Sequence, residues 1–202
     1  VNIRPAHLPA EERREATVES VIELAARRNP SDITTTAIAQ HMGLTQGALF
    51  RHFPSKDAIW EAVMDWVATR LMRRVERAIA DHDNALDALE AVFLTHTAFV
   101  AEHPGVPRML FGELQRAEDT AAKRAARAML AAYGKRVRQL IATGQQRGEL
   151  AQDIDTDAAA AMFIGAIQGL VMQTLLHGDP QHVRRAAPGA FALFRRCIRS
   201  TK

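Results

Sequence analysis

Thr34–Asp57 reads TTTAIAQHMGLTQGALFRHFPSKD, and this stretch decides the fold. From about Thr36 to Met42, the residues Ile38, Ala39 and Met42 fall on one apolar side at helical spacing. Gly43-Leu44 breaks that helix, because glycine takes a left-handed backbone without strain. Thr45 offers a hydroxyl to cap a second, short helix. Gln46, Gly47 and Ala48 give this second helix a slim polar front, with Leu49, Phe50 and Phe53 behind it. A helix of that build can enter the major groove of duplex DNA while its back grips the protein.

Local charge agrees with a phosphate-facing surface. No acid occurs between Asp32 and Asp57, whereas His41, Arg51, His52 and Lys56 do. Carboxylates there would oppose docking on phosphate. The formal net charge of +3 over 202 residues is too small to establish a nucleic-acid partner by itself. A single cysteine, Cys197, excludes a disulfide within one chain and fits a reducing cytoplasm. The start, VNIRPAHLPAEERRE, has no apolar signal core. No run of roughly 18 uninterrupted apolar residues suggests a membrane span. Cytoplasmic location without a membrane partner is the expectation.

Good helix formers dominate the rest, 48% of the chain is apolar, and no long run alternates with period two. An all-α protein of about nine helices follows. Helix one covers roughly 11–28, with Val18, Val21, Ile22 and Ala25 inward, and Asn29-Pro30-Ser31-Asp32 ends it. Helix four runs about 56–81 with Ser55 as its cap, long enough to link two domains. Helices five to nine are read at about 85–102, 105–115, 118–147, 156–177 and 181–200. Helix eight is apolar almost all round and must be covered on more than one side. Pro188-Gly189 predicts a kink or a late start in helix nine. The basic side of helix seven reads as a solvated face. The expected division is 1–57, an arm carrying Arg4 and a helix-turn-helix domain packed on the start of helix four, and 58–202, a C-terminal domain.

At Thr35, Ile38-Ala39, Gly43-Leu44, Thr45, Gly47, Leu49-Phe50, His52-Phe53 and Ser55-Lys56 the chain resembles the TetR family of bacterial transcriptional regulators. The likeness covers roughly residues 10–67. It implies a homodimer with an N-terminal helix-turn-helix and a C-terminal domain that binds a small ligand. It also implies roles. Thr35 would cap helix two and hold phosphate, and Thr36 would approach a base or the backbone. Thr45, Gln46, Gly47 and Ala48 would face base edges, Gln46 reading adenine through its amide. His52 and Lys56 would hold phosphates. Phe50 stands where the family commonly has a tyrosine whose hydroxyl reaches phosphate, so Arg51 becomes the candidate for a charged contact.

One reading helix buries too little surface for a specific operator, and a pair set one DNA turn apart solves this. Helix eight with Ile164, Gly165 and Gly169 and helix nine with Phe191, Phe194 and Ile198 are the expected dimer interface. Candidates for an effector pocket among helices four to eight are Phe93, His96, Phe99, Met109, Met129, Tyr133, Gln168 and Met172. That set suits an apolar or aromatic small molecule. The resulting expectation is a repressor released from a palindromic double-stranded operator by its effector, with no cofactor and no enzymatic activity. Control by a protein partner is the alternative. A metal response through His96, Glu102 and His103 is a remote one, since these lack the i, i+4 spacing of a helical metal pair. Cys197 near Arg195, Arg196 and Arg199 reads as a small semi-buried residue rather than a nucleophile.

Overall fold

The computed structural model describes residues 9–199, so Arg4 lies outside the described residues. Among them are nine α-helices: α1 (Ala10–Arg27), α2 (Thr35–His41), α3 (Gln46–Phe50), α4 (Lys56–Ala80), α5 (Ala85–Glu102), α6 (Gly105–Leu114), α7 (Ala121–Gln146), α8 (Thr156–His177) and α9 (His182–Ile198), with a 3₁₀ turn at Pro30–Asp32. The protein is all-α. Its helix ends fall within about one turn of those read from the sequence, the ordinary scatter of such boundaries.

The chain divides into two compact units. The first holds the residues up to Ala68 together with His103–Arg127. Its core gathers Val18, Val21, Ile22 and Ala25 of α1, Ile38 and Ala39 of α2, Leu49 of α3, Phe53, and Ile59 and Val63 of α4. This unit is larger than a head ending at residue 57, because α6 packs on α1. A Cβ on Gly105 would lie 2.0 Å from the Ile22 carbonyl oxygen, so glycine alone allows the start of α6 that close. From sequence, His103-Pro104-Gly105 reads merely as a helix end.

The second unit holds Thr69–Glu102 and the residues from Ala128 onward. Its centre is an aromatic cluster joining α5, α8 and α9. Phe93 meets Phe163 edge-on at 5.3 Å between centroids, and Phe163 meets Phe194 at 5.5 Å. Arg195 ties α9 to α5 through Glu90 at 2.6 Å and Asp87 at 3.2 Å. Asp155 caps α8 by accepting from the backbone of Asp157 and Ala158, and Gly178 ends it at φ +70°. Helix α9 runs through Pro188, whose exposed position leaves the unpaired carbonyl one turn earlier to water.

Helix α8 buries one face and exposes the other. Phe163, Ile167, Leu170 and Val171 point inward, while Met162 is 59% and Leu176 79% exposed. By length and composition alone α8 would also qualify to cross a membrane, a test that apolar core helices of soluble proteins pass too.

Candidate nucleic-acid interface

The turn of the helix-turn-helix is set by local chemistry. Gly43 adopts φ +66°, where side chains are strained. The Thr45 hydroxyl accepts from the Ala48 amide at 3.2 Å and opens α3. Leu49 and Phe53 are buried, whereas Thr45, Gln46 and Gly47 stand exposed at the head of the helix and Ala48 half-buried beside them. A Cβ on Gly47 would meet nothing within 4 Å, so the approach to this face is open.

The Gln46 amide donates to the Thr35 hydroxyl at 2.8 Å, which holds the side chain across the heads of both helices. Thr36 is exposed next to it. The cap of α2 is Thr34 rather than Thr35: its hydroxyl accepts from the Ala37 amide at 3.1 Å, leaving Thr35 as the partner of Gln46. Phe50 is 43% exposed, so its ring is not part of the core. Arg51 is exposed at the end of α3 and His52 is half-buried.

Lys56 is turned inward. Its ammonium donates to the Ser31 carbonyl at 3.3 Å and lies 4.7 Å from the centroid of Trp60. Desolvation first, then the nearby Arg116 charge, hold it below the ordinary lysine range. A phosphate contact from Lys56 therefore requires its side chain to swing out. Two residues escaped the sequence reading. Arg14 donates to the His52 carbonyl at 2.6 Å and sits 4.4 Å above the Phe53 ring, pinning the end of α3 to α1. Glu23 brings a carboxylate 3.0 Å from His41, inside a segment whose own sequence is free of acids. Only the fold brings these residues together, so no local pattern announces either of them.

Comparison with known proteins agrees with this geometry. The family model described as bacterial regulatory proteins, tetR family, matches residues 19–63, and the Tetracyclin repressor-like C-terminal domain matches residues 111–190. Together these span more than half of the chain. It belongs to the TetR family. A curated relative in sequence, the nucleoid occlusion factor SlmA of Vibrio cholerae, is 27% identical over 158 residues, covering 78% of this chain and 81% of that one. A TetR transcriptional regulator from Chloroflexus aurantiacus superposes with a TM-score of 0.79 at 23% identity, over 95% of this chain and 98% of that one. FadR from Bacillus subtilis in complex with stearoyl-CoA gives 0.78 at 18%, over 89% and 96%. The protein is thus a DNA-binding regulator of the TetR family, a family of transcriptional regulators and not of enzymes.

In the C-terminal unit of this TetR-family chain the expected ligand residues separate. His96 Nδ1 lies 3.2 Å from the Tyr133 hydroxyl, with the rings edge-on at 5.2 Å. Burial pushes the His96 imidazole down to about 4 and raises the Tyr133 phenol. Met129 is buried one turn from Tyr133, and Phe99 is buried beneath the Arg74 guanidinium at 5.2 Å. Phe93 belongs to the aromatic cluster of the core, wedged against Phe163 and Phe191. Met109 is a core residue of the first unit. Gln168 and Met172 are exposed on the outer side of α8, so they line no enclosed space within the protomer.

The expected dimer residues divide as well. Gly165 and Gly169 are exposed, with nothing within 4 Å of a built Cβ. Ile164 is half-buried and reaches toward Gly134 of α7. Phe191, Phe194 and Ile198 are buried in the protomer's own core, so they offer no surface to a second copy. The exposed residues of α9 are instead Pro188, Gly189, Ala192, Leu193 and Cys197 together with Arg184, Arg185 and Arg196. Cys197 is exposed rather than semi-buried. His103 meets Trp66 edge-on at 5.2 Å, and among the described residues no three His, Cys, Asp or Glu side chains converge as metal ligands.

Proposed function

We propose that this protein is a cytoplasmic homodimeric repressor that reads a palindromic operator with paired copies of α3. Binding of a small apolar or aromatic molecule in the C-terminal unit releases it. The observation that carries the DNA reading is the division of α3. Leu49 and Phe53 anchor its back, and Thr45, Gln46 and Gly47 stand outward. The exposed apolar sides of α8 and α9 support pairing of two protomers. His96 and Tyr133, a hydrogen-bonded polar pair near Met129, support an effector with an apolar body and one polar group. FadR, which shares the fold, was crystallised with stearoyl-CoA, and that acyl chain is chemistry of this kind. No cofactor is needed for such a cycle.

A second reading, control by a protein partner, draws on the same exposed α8–α9 surface. Selection of bound duplexes from a random pool tests the first. The proposal expects an inverted repeat that Gln46→Ala no longer distinguishes from random DNA, and a screen of apolar acids and aromatics on the complex that finds a releasing ligand. A pool with no enriched sequence would remove the DNA reading. A screen in which only protein fractions release the operator would favour the second reading.

A further inference from the structure

The first unit contains a cleft of about 660 Å³ between the 3₁₀ turn at Pro30–Asp32, the start of α4, and α6. Clefts of roughly 300–1,000 Å³ accommodate small organic ligands. Its walls combine aromatic residues with the cations Lys56, Arg108 and Arg116 and the carboxylates Asp57 and Glu113. Arg116 is well paired, with Asp57 at 3.1 Å, Glu118 at 3.7 Å and Glu113 at 3.8 Å. Lys56 is paired less closely: its hydrogen-bond partner is the Ser31 carbonyl, and Asp57 and Asp32 favour its charge without forming an ion pair with it among the described residues. Arg108 lines the same cleft half-buried, with neither hydrogen bond nor ion pair among the described residues. A half-buried guanidinium and a half-buried ammonium, neither in a direct ion pair, form a site for an anion. Half-buried Phe111 and Trp60, the latter buried beneath the Lys56 ammonium, supply the apolar part of the wall.

We propose that this cleft binds a small organic anion, its acidic head held by Lys56 and Arg108 and its flat apolar body lying against Trp60 and Phe111. The lowered affinity of Lys56 for its proton fits this, because an anion would relieve both the desolvation and the Arg116 repulsion. An occupied cleft also engages an ammonium that DNA phosphate would otherwise recruit. That consequence rests on the proposed DNA reading, whereas the following test contains no DNA.

The full chain carrying Trp66→Phe keeps Trp60 as its single tryptophan. Two probes are titrated into it: 8-anilinonaphthalene-1-sulfonate, and N-phenyl-1-naphthylamine, which has the same rings without the acid. Energy transfer from Trp60 reports probe bound within reach of that ring, and the two cleft substitutions assign the binding to the cleft. The sulfonate should bind saturably and more tightly than the neutral amine. Arg108→Gln should weaken the sulfonate about tenfold and leave the amine unchanged, as expected for one lost charged hydrogen bond. Gly112→Leu should abolish transfer from both probes by filling the cleft. A Cβ there meets only Pro30, at 3.7 and 3.8 Å, so α6 keeps its place. Thermal melts of both variants should match the parent. Equal affinity for the two probes, or sulfonate binding indifferent to both substitutions, would overturn the proposal.

Discussion

The outer side of α3 and the outer sides of α8 and α9 are both exposed, yet their chemistry is opposite. The first presents mainly Thr45, Gln46 and Gly47, groups that water satisfies, with Phe50 as the exposed apolar side chain of the helix. The second presents Met162, Met172, Leu176 and Leu193, with Gly165 and Gly169 leaving open space among them. Each square ångström of apolar surface left in water forgoes about 25 cal/mol. The α3 side can therefore stand bare until a duplex arrives and be bared again. The α8–α9 side favours lasting cover. In the proposed regulator the reversible contact and the permanent one are separated by composition, and each can be broken alone.

The largest effect should come from the apolar side. Leu176→Glu with Leu193→Glu puts unpaired charges where a second copy would bury them. Self-association should weaken about 10²–10³-fold in sedimentation velocity, the scale of a buried uncompensated charge. Circular dichroism should stay unchanged, because both side chains are exposed in the protomer. A dimer that survives both substitutions would move the pairing surface elsewhere.

Glycines sharpen the contrast. Gly105→Ala drives a methyl toward the Ile22 carbonyl and should cost about 3 kcal/mol in urea unfolding, at the upper end for overpacking. Gly165→Ala meets nothing in the protomer, so it should leave urea stability intact or slightly raised by helix propensity while loosening the dimer. An equal response from the two would mean that the outer side of α8 is packed in solution as tightly as α6 on α1.

On the polar side, Gln46→Ala should lose about 1–3 kcal/mol of operator binding, with little change on random DNA. Equal loss on both would reduce Gln46 to a positioning contact through Thr35. The smallest effect comes from inside the C-terminal unit. His96 titrates near 4 when folded and near 6.5 when free, so the unfolded chain takes the proton first. Stability is full above about pH 6.5 and declines as pH falls toward 4, by about 1–2 kcal/mol for a ring that keeps some exposure. His96→Gln, which can still bond Tyr133, should flatten that decline in pH-dependent melts.

What was legible in the sequence was local. Gly43, the Thr45 cap and the Leu49/Phe53 anchor depend on neighbours within a turn, and they stand where their spacing put them. The cap of α2 slipped by one residue because consecutive threonines offer the same hydroxyl. Lys56 pointed inward through Trp60 and the Ser31 carbonyl, and the latter is distant in sequence. The apolar stripe of α9 misled for a different reason. A stripe says that a helix side is covered, not whether its own chain or a copy covers it, and Phe191, Phe194 and Ile198 turned out to serve the protomer. Arg14, Glu23 and Gly105 act across the fold and left no local trace.

Hydroxyl-radical footprinting on the selected operator tests the central claim most directly. Two copies of α3 on one dimer should protect two patches on one side of the duplex, one helical turn or about 34–36 Å apart. The Leu176→Glu, Leu193→Glu protein should lose both patches together at the concentration where the parent protects them. A single patch, or two patches that the monomeric variant still protects at equal concentration, would contradict it.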